Sequence, residues 1–99
     1  MRSEWDFDSE LYRWEAAQAL WVFAALPEQA SDEIDAGVPF KGGFGSVRVR
    51  VRIGTSTWST SVFPDTSRGC YTVPIKADVR RREGIELGDT VRVHIELAD

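Results

Sequence analysis

Three arginines spaced two residues apart carry the most suggestive chemistry in the sequence. Arg48, Arg50 and Arg52 alternate with Val47, Val49, Val51 and Ile53. Strict alternation puts the guanidinium groups on one face of a strand and the aliphatic side chains on the other. The next run repeats the pattern, with Trp58, Thr60 and Val62 set against Thr57, Ser59 and Ser61. Guanidinium groups beside hydroxyls can hold a phosphate, a carboxylate or a nucleic-acid backbone. A plainer reading competes: a solvated outer face whose charges discourage edge pairing, or ion pairs with the acidic N-terminal third.

Just before the arginines stands Lys41-Gly42-Gly43-Phe44-Gly45. A phosphate-binding P-loop would run from a strand through glycines and Lys-Ser/Thr into a helix. Here the glycines feed a strand, so tight turning and close backbone approach explain them, with a different anion site built on Lys41 and backbone amides as the functional alternative. Arg80-Arg81-Arg82 ends a predicted helix, where cations suit the dipole. His94 is the single histidine and has no partner at a recognisable spacing, so neither catalysis nor metal binding is expected of it. Cys70 is the single cysteine; it excludes an internal disulfide and reads as a packed side chain. The acidic residues are scattered, with no pair placed for acid–base work. The tryptophans read as core rather than as ligand platforms, Trp58 opposite Val51 above all.

The charge is distributed unevenly over the 99 residues. Residues 1–40 hold two basic against nine acidic side chains, residues 41–82 nine against two, and residues 83–99 one against five, for a net −4. The isoelectric point near 5.0 argues against nucleic acid as the main partner. A basic middle between acidic ends implies either internal charge matching or a local anion-binding face. No apolar run approaches the length of a membrane helix. The acidic start lacks a signal-peptide pattern, and a single cysteine fits a reducing compartment, so a cytoplasmic protein is expected.

These residues need a scaffold, and the length sets it at a single domain over residues 1–99, with 1–5 as a flexible tail. Trp5 to Trp14 reads as a strand, Ala16 to Gln18 as a turn, and Ala19 to Leu26 as a strand ended by Pro27. Pro27 opens a helix that Gly37 stops. Val38 to Gly45 is a loop. Parity allows an even-length turn between the two alternating runs, and Gly54-Thr55 suits a type II′ hairpin. That register pairs Val51 with Trp58, Val47 with Val62 and Arg50 with Ser59. Pro64 to Gly69 is a loop, Cys70 to Val73 a short strand, Lys76 to Glu83 a helix stopped by Gly84, Gly88-Asp89 a turn, and Thr90 to Leu97 a final strand. Leu26-Pro27 and Val73-Pro74 are each followed by a helix and then a glycine. The chain therefore reads as two β-β-α-β halves of a pseudo-twofold barrel, although residue identity between the halves is poor.

Lys41-Gly42-Gly43-Phe44-Gly45-Ser46-Val47-Arg48-Val49, Thr57 to Pro64, Gly69-Cys70-Tyr71, Val73 to Arg80 and Gly84 to Val91 together resemble the signature of a small bacterial family catalogued as a domain of unknown function, over about Phe7 to Leu97. The resemblance implies a mainly β fold: a small double-split β-barrel of about six strands with two short helices, distantly similar to the AbrB and MazE transcription factors. Some members carry a fused bacteriocin-protection (OmpD-associated) domain. The family brings no catalytic residues to carry over.

The expectation is a monomeric, non-enzymatic binding module without cofactor or metal. Its surface would comprise Lys41, Gly42, Gly43, Phe44, Arg48, Arg50, Arg52, Ser59 and Ser61, facing an anionic small molecule or an acidic protein. Nucleic-acid binding, by analogy with the AbrB-like fold, and a small enzyme of unknown reaction are the alternatives.

Overall fold

The computed structural model describes residues 2–14 and 20–98. Its elements are β1 (Glu4–Glu10), β2 (Tyr12–Arg13), β3 (Val22–Ala25), α1 (Glu28–Gly37), a short 3₁₀ turn (Gly43–Gly45), β4 (Val47–Ile53), β5 (Ser56–Asp65), β6 (Cys70–Pro74), α2 (Ala77–Glu83) and β7 (Thr90–Leu97). The seven strands pair antiparallel in the order β1-β7-β4-β5-β6-β3-β2.

The β4–β5 hairpin has the expected register: Val51 opposes Trp58, Val47 opposes Val62 and Arg50 opposes Ser59. Burial alternates residue by residue along β4, aliphatics in and arginines out. Gly54 takes a φ of +58° while Thr55 stays at negative φ, which selects the II′ turn over I′. Glycine is needed there twice over, because a Cβ would also collide with the Glu83 carboxylate. Glu83 accepts from Ser56 Oγ at 2.6 Å and Thr55 Oγ1 at 3.2 Å, pinning α2 across the hairpin's end.

The strand expected from Trp5 to Trp14 is interrupted at Leu11. Its N–H donates to the Asp89 carbonyl and its carbonyl accepts from Gly88, so the 88–89 turn holds the chain while it bends from β7 to β3. The break leaves no backbone group unpaired, and Leu11 is buried. The tail expected over residues 1–5 is shorter than that: β1 starts at Glu4, and Trp5 is 3% exposed opposite Ile95. A large aromatic ring gains too much from burial to be left in a tail. The turn expected at Ala16 to Gln18 lies outside the described residues. The strand from Ala19 to Leu26 is realised as β3, and Pro27 caps α1 rather than opening it, with ψ 151° and Glu28 as the first helical residue.

Because β1 and β2 are two parts of one bent strand, the sheet order returns to its start and describes a small barrel. Counted that way, six strands each have two neighbours. β5 behaves like the β1–β2 pair, giving its first part to β4 and its last to β6. This makes the two β-β-α-β halves explicit. Val51 and Ile95 oppose each other across β4 and β7, and each has a tryptophan on its far side, Trp58 and Trp5 respectively. The same correspondence lays Ser46-Val47-Arg48-Val49 over Thr90-Val91-Arg92-Val93. Strand side chains such as Trp5, Val49, Val51, Val93 and Ile95 fill the core, and Ile34 from α1 and Val79 from α2 join them. Gly84 ends α2 in the left-handed region at φ 64°, the usual helix stop.

Candidate functional site

Four strands, β1, β7, β4 and β5, present polar side chains on one outer face. Strand register arranges them in rows. Asp6 opposes His94, His94 opposes Arg52, and Arg52 opposes Thr57. Beside it runs Glu4, Glu96, Arg50 and Ser59. Each row therefore passes from acid through base to hydroxyl. At the acidic end charges are matched: Arg92 lies 3.3 Å from Asp8, and His94 Nδ1 lies 2.9 Å from Asp6, whose carboxyl that hydrogen bond holds below its ordinary pKa. Arg50 reaches Glu96 at 2.9 Å. Arg48 and Arg52 make no side-chain hydrogen bond or ion pair among the described residues. Arg48 faces Ser61 and Arg52 faces Thr57, and neither partner carries charge. A shallow hollow of about 170 Å³ lies between Arg50, Arg52, Thr57, His94 and Glu96.

Glu4, His94 and Glu96 bring potential metal-ligand atoms within 4.8 Å of one another. Two of the three are already engaged, Glu96 by Arg50 and His94 by Asp6, so a cation arriving there would compete with a guanidinium. Cys70 is half-buried and its thiol pKa is raised, chiefly by that burial, the opposite of what a nucleophile needs. Every buried side-chain nitrogen or oxygen among the described residues has a hydrogen-bond partner, leaving no unmet polar demand inside the barrel.

The glycine-rich segment divides. Lys41 turns away from the arginines: its ammonium lies 3.3 Å from the Asp35 carboxylate and donates to the Val38 and Asp35 carbonyls, closing the C-terminal end of α1. Asp35 also accepts from the Tyr71 hydroxyl, and burial, reinforced by that bond, pushes the Tyr71 pKa up to about 12. Gly42 and Gly45 serve the tight turn, Gly42 closing on Ser46 and Gly45 at φ +73° lying against Pro64. Gly43 has open space where a Cβ would be. Phe44 between them sits in the left-handed region (φ 59°, ψ 24°) with 95% of its surface exposed.

Phe44 does join a site, one that the sequence reading passed over. It lines a groove of about 620 Å³ with Trp14, Trp21, Phe23, Phe63 and Pro64. Trp14 and Trp21 flank Phe23, with ring centroids 5.0 and 6.2 Å away, and the Trp21 ring lies nearly parallel to it at 18°. Tyr12 continues the row 6.2 Å from Phe23, and the Arg68 guanidinium stacks 3.5 Å above the Tyr12 ring. The Tyr12 hydroxyl is fixed by Thr72 at 2.6 Å and Asp65 at 3.3 Å. Reading all tryptophans as core is thus half right: Trp5 and Trp58 are core, whereas Trp14 and Trp21 form a wall of the groove. Parity was the available signal. Val22, Ala24 and Leu26 point inward, so Trp21 and Phe23 fall on the other face, where Phe23 is 4% exposed with Tyr12, Trp14 and Trp21 against its ring, but an unbroken apolar run hides its own alternation.

Register joins the two features. Ser61 opposes Arg48, and Phe63 lies two residues further along the same strand face. The polar face and the aromatic groove therefore adjoin along β5, with Arg48 diagonal to Phe63 and just outside the groove's lining.

Fold and surface together define a small, mainly β barrel with two short helices and a mixed cationic–aromatic outer band. The sequence model of the family described as domain of unknown function DUF1905 matches residues 7–95, and the chain belongs to that family. A search of curated proteins found no match. No helix among the described residues is long and apolar enough to cross a membrane.

Proposed function

We propose that the protein is a non-enzymatic binding module whose arginine face takes an anionic small molecule or an acidic partner. One observation carries this reading: among the described residues Arg48 and Arg52 make no ion pair, on a strand whose other arginine, and whose symmetry-related strand, are ion-paired. Guanidinium groups that face hydroxyls across β4 and β5 and make no hydrogen bond among the described residues offer charge-assisted donors to a ligand. Of the residues expected at this surface, Arg48, Arg52, Ser59 and Ser61 carry the proposal. Arg50 is shared with Glu96, Phe44 extends the surface toward the groove, and Lys41 with its glycines belongs to the scaffold.

Pyrophosphate and citrate titrated against thermal unfolding and by calorimetry provide the test. Stabilisation at low salt that disappears in Arg48→Glu/Arg52→Glu, with the unfolding temperature of the free protein unchanged, is the expected result. Anion binding that survives the double charge reversal would overturn the assignment.

A further inference from the structure

Resting on that reading, we propose that the ligand is a planar aromatic anion, with its rings in the groove between Trp14, Trp21, Phe23, Phe63 and Phe44 and its carboxylate, sulfonate or phosphate on Arg48. Four observations converge on this chemistry. The groove's volume of about 620 Å³ falls in the range of small-molecule sites, which run to roughly 300–1,000 Å³. Its walls are rings rather than aliphatic side chains, and Trp21, half-exposed and nearly parallel to the buried Phe23 beneath it, offers its outer face for offset stacking.

Phe44 is held at positive φ with its ring in solvent. A bulky residue in that conformation is strained and gains no packing in return, a combination that marks functional positions. Arg48 lies diagonally across the β4–β5 ladder from Phe63, a separation that long side chains bridge, and it has no ion-pair partner among the described residues. Asp65, an acid on the groove side, already accepts from Ser67, Arg68 and Tyr12, which holds its carboxyl below the ordinary value, the Ser67 hydroxyl foremost. Arg68 at the far end of the aromatic row is paired with Asp65 at 3.7 Å, which leaves Arg48 as the cation for the ligand's charge. A neutral apolar guest would use the rings alone, and an inorganic anion the arginine alone. A flat anion uses both.

The probe pair is 8-anilinonaphthalene-1-sulfonate and its uncharged parent N-phenyl-1-naphthylamine, each titrated by fluorescence against the folded protein. Saturable binding of the sulfonate is expected, tighter than that of the parent. Arg48→Glu should weaken the sulfonate by about tenfold or more and leave the parent unchanged. Trp21→Ser with Phe44→Ser should weaken both by about tenfold, the order expected for loss of a stacked ring. Both side chains are more than half exposed, so folding is retained and is checked by near-UV circular dichroism. Equal affinity for the two probes, or ring substitutions without effect, overturns the proposal. If the ring substitutions do nothing while pyrophosphate still depends on Arg48 and Arg52, the planar-ligand inference fails and the anion-binding reading stands. A dimer that dissociates when the rings are removed would show that a second copy fills the groove, which also overturns it.

Discussion

The two halves of the barrel share a backbone plan and oppose each other in surface chemistry. In the first half, the strand bearing Trp5 shows Glu4, Asp6 and Asp8 to solvent; in the second, the corresponding strand bearing Trp58 shows Thr57, Ser59 and Ser61. The strands beside them both read Val-Arg-Val, at Val47–Val49 and Val91–Val93. Arg92 therefore meets Asp8, whereas Arg48 in the equivalent position meets Ser61. The contrast also runs at the other end. Tyr12 and Phe23, with Trp14 and Trp21 beyond them, build the aromatic row in one half, while the matching pair in the other is Asp65 and Cys70. The core has kept its symmetry because packing demands it, and the exterior has been free to diverge. Charge is thus matched on β7, whereas on β4 Arg50 is paired and Arg48 and Arg52 make no ion pair among the described residues.

The comparison can be broken or sharpened in order of effect. Trp5→Ala and Trp58→Ala should each cost about 3–5 kcal/mol, the range for deleting a buried aromatic, as measured by denaturant unfolding. A strongly unequal pair of values would deny the equivalence of the two strands. Copying the acidic half onto the other with Ser59→Asp/Ser61→Asp should lower pyrophosphate affinity about tenfold, or roughly 1.4 kcal/mol. The same change should move stability by no more than about 0.5 kcal/mol, as exposed pairs do. Phe44→Asn should raise stability by up to about 1 kcal/mol, since asparagine tolerates the left-handed region that phenylalanine resists, and weaken aromatic-anion binding at the same time.

Acid titration gives a smaller effect, to which Asp6 and Asp35 of the first half also contribute through their lowered pKa values. Asp65 and Glu83 are held below their ordinary values of 3.8 and 4.5, foremost by the hydroxyls of Ser67 and Ser56 respectively. A depressed folded-state pKa contributes stability that is present above the unfolded value and lost as pH falls through the folded one. The unfolding temperature should therefore drop below about pH 4, and less steeply in Asp65→Asn/Glu83→Gln. Smallest of all, duplex DNA at low salt should produce no detectable binding, because the acidic row of β1 shares the face with the arginines. A salt-dependent complex would reverse that expectation.

Legibility followed the range of the forces involved. The hairpin register, its II′ turn and the inward and outward faces of β4, β5 and β7 could be read from alternation, because a one-residue slip would bury the arginines. The two Pro-helix-Gly units announced the repeat. Its sequence echo stayed hidden because the loop after α1 is longer than the loop after α2, so no single offset aligns helices and strands together. The pairing of Trp5 with Trp58 and of Arg48 with Arg92 emerges only once the strands are in register.

What the sequence by itself determined is the strand pattern, the sorting of β4 into aliphatic and arginine faces, and the small β-barrel architecture. These depend on period-two alternation and turn chemistry, which act over a few residues. Tertiary structure alone decided which arginines are ion-paired. Asp8, Asp6 and Glu96 reach their partners from strands that only folding brings alongside, so that Arg48 and Arg52 make no ion pair among the described residues is recognisable only once the other pairs have been made. It also decided that Phe44, from a loop far along the chain, closes a groove with Trp14 and Trp21, because ring-to-ring contact depends on distance in space and leaves no periodic trace in the sequence.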